Sequence, residues 1–255
     1  MTDALAAEWC KLRTLAAAGW LLAATAATMV AVSAIVAVST HISHGGGQDP
    51  TKLALAGTVL GQAVIAVLAV LTVSEEYATG MILVTLTAVP RRFLVLLAKA
   101  ANLTLVTLPA ALLAVAGCLV AGRLLLPGAG LDAAHGYALV SIGHGPTLRA
   151  AAGTVLYLAL IGLLALGIAT AIRDTAVSIG AVLALLYLPP ILAQLVADPL
   201  RRHLQQIFPM TAGLAVQATR SGSQPIAPWA GLAVLAAWAV AALLVGTLLL
   251  ERRDV

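Results

Sequence analysis

Six stretches of the chain run apolar for about 20 residues or more, the length a helix needs to cross a bilayer. They fall at about 18–40, 53–73, 93–121, 150–172, 175–197 and 229–250. The third is longer than a span requires, which predicts a tilted or kinked helix. Ahead of the first, residues 3–16 alternate differently. Leu5, Trp9, Leu12 and Ala16 share one helical face, with Glu8 and Lys11 elsewhere. Such a pattern predicts a short helix lying in the membrane interface. The predicted fold is therefore all-α, a single transmembrane domain over 1–255 with six transmembrane helices and an N-terminal interfacial amphipathic helix.

Between spans two and three the pattern breaks. The segment SEEYATGMILVTLTAVPRRFLVLLAK at 74–99 places Glu75, Glu76, Gly80, Pro90, Arg91, Arg92 and Lys99 between two apolar runs. It is too long for a tight turn, and its charges and helix breakers would be costly in hydrocarbon. Residues 74–92 predict a structured elbow outside the lipid. Two further loops are long. Residues 122–149 are rich in Gly, Ala and Pro and carry His135 and His144. Residues 198–228 open with DPLRRHLQQIF, where Leu200, Leu204, Ile207 and Phe208 recur at helical spacing and predict a short amphipathic helix. No long internal repeat of the kind found in many secondary transporters is visible.

Composition sharpens this picture. Hydrophobic residues make up 62% of the chain and charged residues 9%, against about a quarter charged in a soluble domain. The chain reads as an integral membrane protein with no soluble domain. Its net charge of +4 reflects basic anchors at loops rather than nucleic-acid binding. Cys10 precedes the first span and Cys118 lies in the third, so no disulfide is expected. Glu8, Lys11 and Arg13 before a first run long enough to span argue against a cleaved signal peptide. An even number of spans puts both termini on one side. With the termini inside, Lys11, Arg13, Arg91, Arg92, Lys99, Arg173, Arg252 and Arg253 are cytoplasmic. Lys52, Arg123, Arg149, Arg201, Arg202 and Arg220 are then external. The bias is small but has the sign that favours this orientation.

Candidate chemistry is sparse. No G-x-x-x-x-G-K-[ST] occurs, so the chain has no phosphate cradle of that kind. Glu75-Glu76 is a glutamate pair of the type some intramembrane proteases use, but no arginine follows closely and no histidine falls in a later span. The elbow reading has either acid meeting a basic partner surface, or pairing with Arg91 or Arg92. The five histidines, His41, His44, His135, His144 and His203, all fall in predicted external loops. No carboxylate or cysteine completes a metal site with them. No Asp, Glu or His sits at mid-span, as a proton-driven carrier would usually need, and Lys99 is near enough to an end to snorkel. The polar residues in the spans are Gln62, Asn102 and Gln194. Gly57-x-x-x-Gly61 permits close helix approach. Pro109 and Pro189-Pro190 should bend their helices.

Taken in order, four pieces resemble the permease subunits of ABC-2-type exporters, in particular their actinobacterial branch. They are EWCKLRT at 8–14, LGQAVIAVLAVLTVSEEYATGM at 60–81, TLTAVPRRFLVLLAKA at 85–100 and LLVGTLLLERRDV at 243–255. The spacing of Glu76, Gly80, Pro90, Arg92 and Lys99 is similar to that family's first cytoplasmic loop. The resemblance implies a permease in the cell's inner (plasma) membrane, multi-pass, with both termini cytoplasmic. It implies a dimer, as a homodimer or with a related second permease subunit, bound to a cytoplasmic ATP-binding subunit. ATP and Mg would sit on that ATPase, with no cofactor or metal on this chain and no catalytic residue of its own. Glu75, Glu76, Gly80, Pro90, Arg91 and Arg92 would couple the ATPase to the membrane. Because spans two and five line the dimer interface in that family, Gln62, Tyr187 and Gln194 become substrate-pathway residues. A small-residue apolar lining suits hydrophobic or amphipathic cargo. Two other classes remain: a secondary transporter, and a membrane anchor or immunity protein that transports nothing.

The orientation yields a first prediction. In intact cells, Cys10 and a tag placed after Val255 should resist a membrane-impermeant reagent until lysis. Strong labelling without lysis would reverse the topology.

Overall fold

The computed structural model of the protein describes residues 16–40, 48–81, 92–131, 140, 143, 145–220 and 226–252, with side chains left aside at 16–18, 78 and 92. All but the last residue of the predicted interfacial helix lies outside the described residues. So do Cys10, His41, His44, Pro90, Arg91, His135 and His144. The described residues are helical throughout their ordered elements and contain no strand.

Among the described residues, nine α-helices follow in chain order: α1 (Ala16–Ser39), α2 (Pro50–Ala54), α3 (Thr58–Ala78), α4 (Arg92–Leu125), α5 (Gly145–Ile172), α6 (Thr175–Gln194), α7 (Leu200–Ile207), α8 (Pro209–Leu214) and α9 (Pro228–Arg252). Six of them, α1, α3, α4, α5, α6 and α9, are long and apolar enough to cross a membrane. The protein is an all-α, polytopic membrane protein.

The centre of the bundle is α5. It packs against α3, α4, α6 and α9, while α1 closes over α3 and α4. Tyr157, Leu158, Ile161, Leu164, Ala165 and Leu166 of α5 are buried in the core. The peripheral spans turn large apolar residues outward, among them Trp20, Leu112, Leu113, Leu195 and Leu244. In water such surfaces would be costly; in hydrocarbon they are the ordinary lipid face of a span. Close packing inside relies on small residues, as expected where lipid gives helices no hydrophobic drive to associate. At the α5–α9 crossing, a Cβ on Gly167 would lie 2.5 Å from the carbonyl carbon of Ala242.

Span two differs from the sequence expectation. It was expected over 53–73; the spanning helix is Thr58–Ala78. The preceding apolar residues form the separate short helix α2, and Ala54 and Leu55 are wholly buried. The reason lies at Gly57. Its N–H donates to Ser33 Oγ at 3.1 Å. A Cβ there would lie 1.9 Å from the Met29 carbonyl oxygen, and one on Gly61 would lie 2.4 Å from the Met29 side chain. The Gly57-x-x-x-Gly61 pair thus seats span two on span one of the same chain. The shift carries Ser74, Glu75 and Glu76 into the last turns of α3, so the elbow begins later than expected.

The long third span is confirmed. At 34 residues, α4 would measure about 50 Å at 1.5 Å per residue, well over the hydrocarbon thickness of about 30 Å. It runs through Pro109, which has no N–H to give the carbonyl one turn back. Helix α6 likewise contains Pro189 and Pro190. The expected amphipathic helix after span five is α7. None of its residues is buried, and the indole N–H of Trp238 in α9 donates to the Ile207 carbonyl at 2.9 Å, fixing its end.

The seat of Gly57 can be tested directly. Gly57→Leu must displace the backbone of α1 and should destabilise the solubilised protein by about 1–3 kcal/mol or more, read as a fall in thermal midpoint. Gly19→Leu, where a new Cβ meets nothing within 4 Å, should be near neutral.

Candidate functional site

One end of the bundle holds a buried pair of opposite charges. Lys99 stands two turns into α4, and its Nζ donates to Glu76 Oε1 at 2.7 Å and to the Thr72 carbonyl at 3.3 Å. The two side chains are only 5% and 9% exposed. Lys99 therefore does not snorkel to the surface, and Glu76 does not stand in a solvated loop. Two opposite charges facing one another across the α3–α4 seam offset a desolvation cost that neither could carry alone.

Arg173 completes this end. It is one of two residues joining α5 to α6, and it adopts a left-handed φ of 68°, uncommon for a residue with a side chain. Asp174 then caps α6 by accepting the Val177 N–H at 2.8 Å. The turn aims the Arg173 guanidinium over the Tyr77 ring, 5.4 Å from its centroid, a cation–π distance. Its Nη2 reaches the Leu249 carbonyl at 3.4 Å. The last turns of α3 are thus touched by the first turns of α4, by the α5–α6 turn and, through Arg173, by the end of α9.

The helix terminates in a defined way. Thr79 donates from its N–H to the Glu75 carbonyl at 3.0 Å and from its hydroxyl to the same oxygen at 2.7 Å. Gly80 follows at φ 70°, with open space where a Cβ would be. Its requirement is conformational: a left-handed residue ends the helix, which glycine does without strain. Close packing at Gly80 is not seen. Glu75 is half-buried. Arg92 opens α4.

At the opposite end, called the far end below, the structure brings two of the three substrate-pathway residues together, Gln62 and Tyr187, and leaves Gln194 apart. Gln62 is wholly buried. Its Oε1 accepts the Tyr157 hydroxyl and its Nε2 lies 3.2 Å from the Met210 sulfur. Tyr187 donates to the Val59 carbonyl, one turn away on α3, and its hydroxyl also meets the Gln62 side chain. Gln194 is exposed at the end of α6. Gln62 acts as a fastener between α3, α5 and α8.

Sequence reading passed over Asp49. Its carboxylate is 9% exposed and accepts five hydrogen bonds. Oδ1 takes the N–H groups of Thr51 (3.1 Å) and Lys52 (3.3 Å) and the Thr219 hydroxyl (2.7 Å). Oδ2 takes the N–H groups of Thr219 (2.5 Å) and Arg220 (3.3 Å). Asp49 caps α2 and clamps it to the segment before α9. The local signal was present: an acid directly before proline is a helix start, with the acid as N-cap and the proline at N1. Its long-range partners carried no such signal.

No known protein-family model matches this chain, and no curated protein matches it.

The buried pair generates a stability prediction. Lys99→Met or Glu76→Leu alone leaves one charge buried and should cost about 3–5 kcal/mol. The double variant should recover most of that loss. Thermal unfolding in one detergent measures both, and additive losses would show that the pair is not coupled.

Proposed function

We infer that this chain is the membrane-embedded subunit of an ATP-driven exporter of the ABC-2 type. The observation that carries the reading is the buried Glu76–Lys99 pair, which ties α3 to α4 on either side of residues 79–91. A force on that segment reaches both spans at once, and Arg173 extends the contact to the α5–α6 turn and α9. A connector that only joined two spans would not need a paired charge on each. Three features of the sequence agree: the charged elbow, the missing phosphate-binding loop and the ordered likeness to exporter permeases.

On this reading the elbow end is cytoplasmic, the protein sits in the cell membrane with both termini inside, and a second permease copy or relative completes the pathway. A separate ATPase subunit binds ATP and Mg and pushes on the elbow through Glu75, Gly80, Pro90, Arg91 and Arg92. The role of Glu76 is to hold the elbow's root. The cargo is hydrophobic or amphipathic, since the bundle interior offers few charges. A second reading has one observation in its favour. Glu76 is an ionisable group buried in the bundle, and such groups mark proton paths in carriers. It lies in the last turn of α3 and is already bonded to Lys99, a poor position for alternating exposure.

Co-expression with a candidate ATPase subunit should yield a two-plus-two complex by native mass spectrometry. Pro90→Ala should leave insertion and complex formation intact while lowering substrate-stimulated ATP hydrolysis and export. Glu75→Gln should have a smaller effect. A chain that stays alone beside its ATPase and moves substrate down a proton gradient would establish the carrier instead.

A further inference from the structure

A cavity of about 690 Å³ opens at the far end, between the start of span two and the α7–α8 segment. That volume lies within the range of small-molecule sites, about 300–1,000 Å³. Leu53, Ala56, Val59 and Leu214 supply an apolar wall. Gln205, Thr211 and Gln217 also line it, together with Asp49 and the exposed Lys52.

The chemistry of the polar wall follows from hydrogen bonds already made. Gln217 is 4% exposed, and its Nε2 donates to Thr58 Oγ1 at 3.0 Å and Thr154 Oγ1 at 3.3 Å. Both hydroxyls are committed as donors, to the Leu55 and Ala150 carbonyls at 2.7 Å each. They can only accept from Gln217, which fixes the amide with its NH2 toward them. Its Oε1 accepts no hydrogen bond among the described residues. That oxygen is open to the cavity, which Gln217 lines, and stands there as an acceptor for a donor from outside the protein. Thr211 repeats the pattern, since its hydroxyl donates to the Phe208 carbonyl at 3.3 Å and leaves its lone pairs free.

The charges point the same way. The Asp49 carboxylate is covered by its five donors. Lys52 is left with no carboxylate within ion-pair distance among the described residues. The cavity therefore presents acceptors for hydroxyl groups beside one exposed cation, with the donor-covered Asp49 carboxylate on the same wall. Val59 carries the apolar wall outward. It is partly exposed, and through the Tyr187 hydroxyl on its carbonyl it borders α6, where Leu188, Ile191 and Leu192 are exposed.

We propose that the far-end cavity binds an amphipathic polyol phosphate, its hydroxyls donating to Gln217 and Thr211, its phosphate facing Lys52 and its apolar part lying along Val59. The site stands apart from the exporter reading, because binding needs no ATPase.

The test uses the solubilised full chain and native mass spectrometry. Dihexanoyl phosphatidylglycerol carries the hydroxyls and net charge; dihexanoyl phosphatidylcholine, with a quaternary head and no donor, does not. The first should bind at least about tenfold more tightly, the value of one charge-assisted hydrogen bond. Gln217→Met keeps the side-chain length and leaves Thr58 and Thr154 bonded to their carbonyls; it should remove most of the preference. Lys52→Gln changes an exposed residue outside the packing and should reduce it independently, even if the first variant proves unstable. Glycerol 3-phosphate separates the sources. Binding of the lipid alone assigns a membrane lipid, whereas binding of glycerol 3-phosphate as tight as the lipid's assigns the site to a free polyol phosphate and overturns the part given to the Val59 wall. Equal binding of the two lipids, binding of none of the three probes, or a preference that survives Lys52→Gln would overturn the proposal.

Discussion

Glu76 and Lys99 place opposite charges 2.7 Å apart inside the bundle. At that depth neither can be left alone, because an unpaired charge cut off from water costs several kcal/mol. The pair therefore fixes how two long helices meet. It joins the last turn of α3 to the start of α4, just before Thr79 and Gly80 end the helix. Tyr77, the neighbour of Glu76, then faces Arg173, so the same turn of helix also orients the connection from α5 to α6. Most of the bundle is apolar packing, which tolerates sliding. This end does not slide without breaking a charge pair.

The far end is held differently. Asp49 gathers five donors from two distant segments, while Gln62 and Gln217 join α3 to α5, α8 and the segment that follows it. These are neutral or capped groups rather than facing charges. The two ends thus differ in kind: one is held by a facing charge pair, and the other by polar fasteners that border a cavity. The central helix α5 connects the two, through Tyr157 near one and Arg173 just past the other.

The architecture was legible in the sequence because hydropathy is a local property. Six apolar runs gave six spans, and α7 was visible from Leu200, Leu204 and Ile207. The start of span two was not, because Gly57 breaks the helix through contact with Met29, which lies 28 positions away in sequence. That displacement hid the most consequential feature. With the span expected to end at Val73, Glu76 reads as a loop acid; with the helix continuing to Ala78, it faces Lys99. The acid, the base and the glycine were each identifiable in the chain, but their pairing is tertiary. Asp49 and Gln217 were illegible for the same reason, since their partners sit more than 60 residues away or are backbone groups.

The central claim is that force from a separate ATPase enters at the elbow end. Photo-crosslinking tests it most directly. A photoreactive residue at Met81, exposed just past the end of α3, is compared with one at Leu195, exposed at the far end of α6. Both are placed in the chain co-expressed with a candidate ATPase subunit. The account predicts a crosslink from position 81 that changes with bound nucleotide, and none from position 195. A crosslink from 195, or none from 81 in a complex that is otherwise intact, would contradict it.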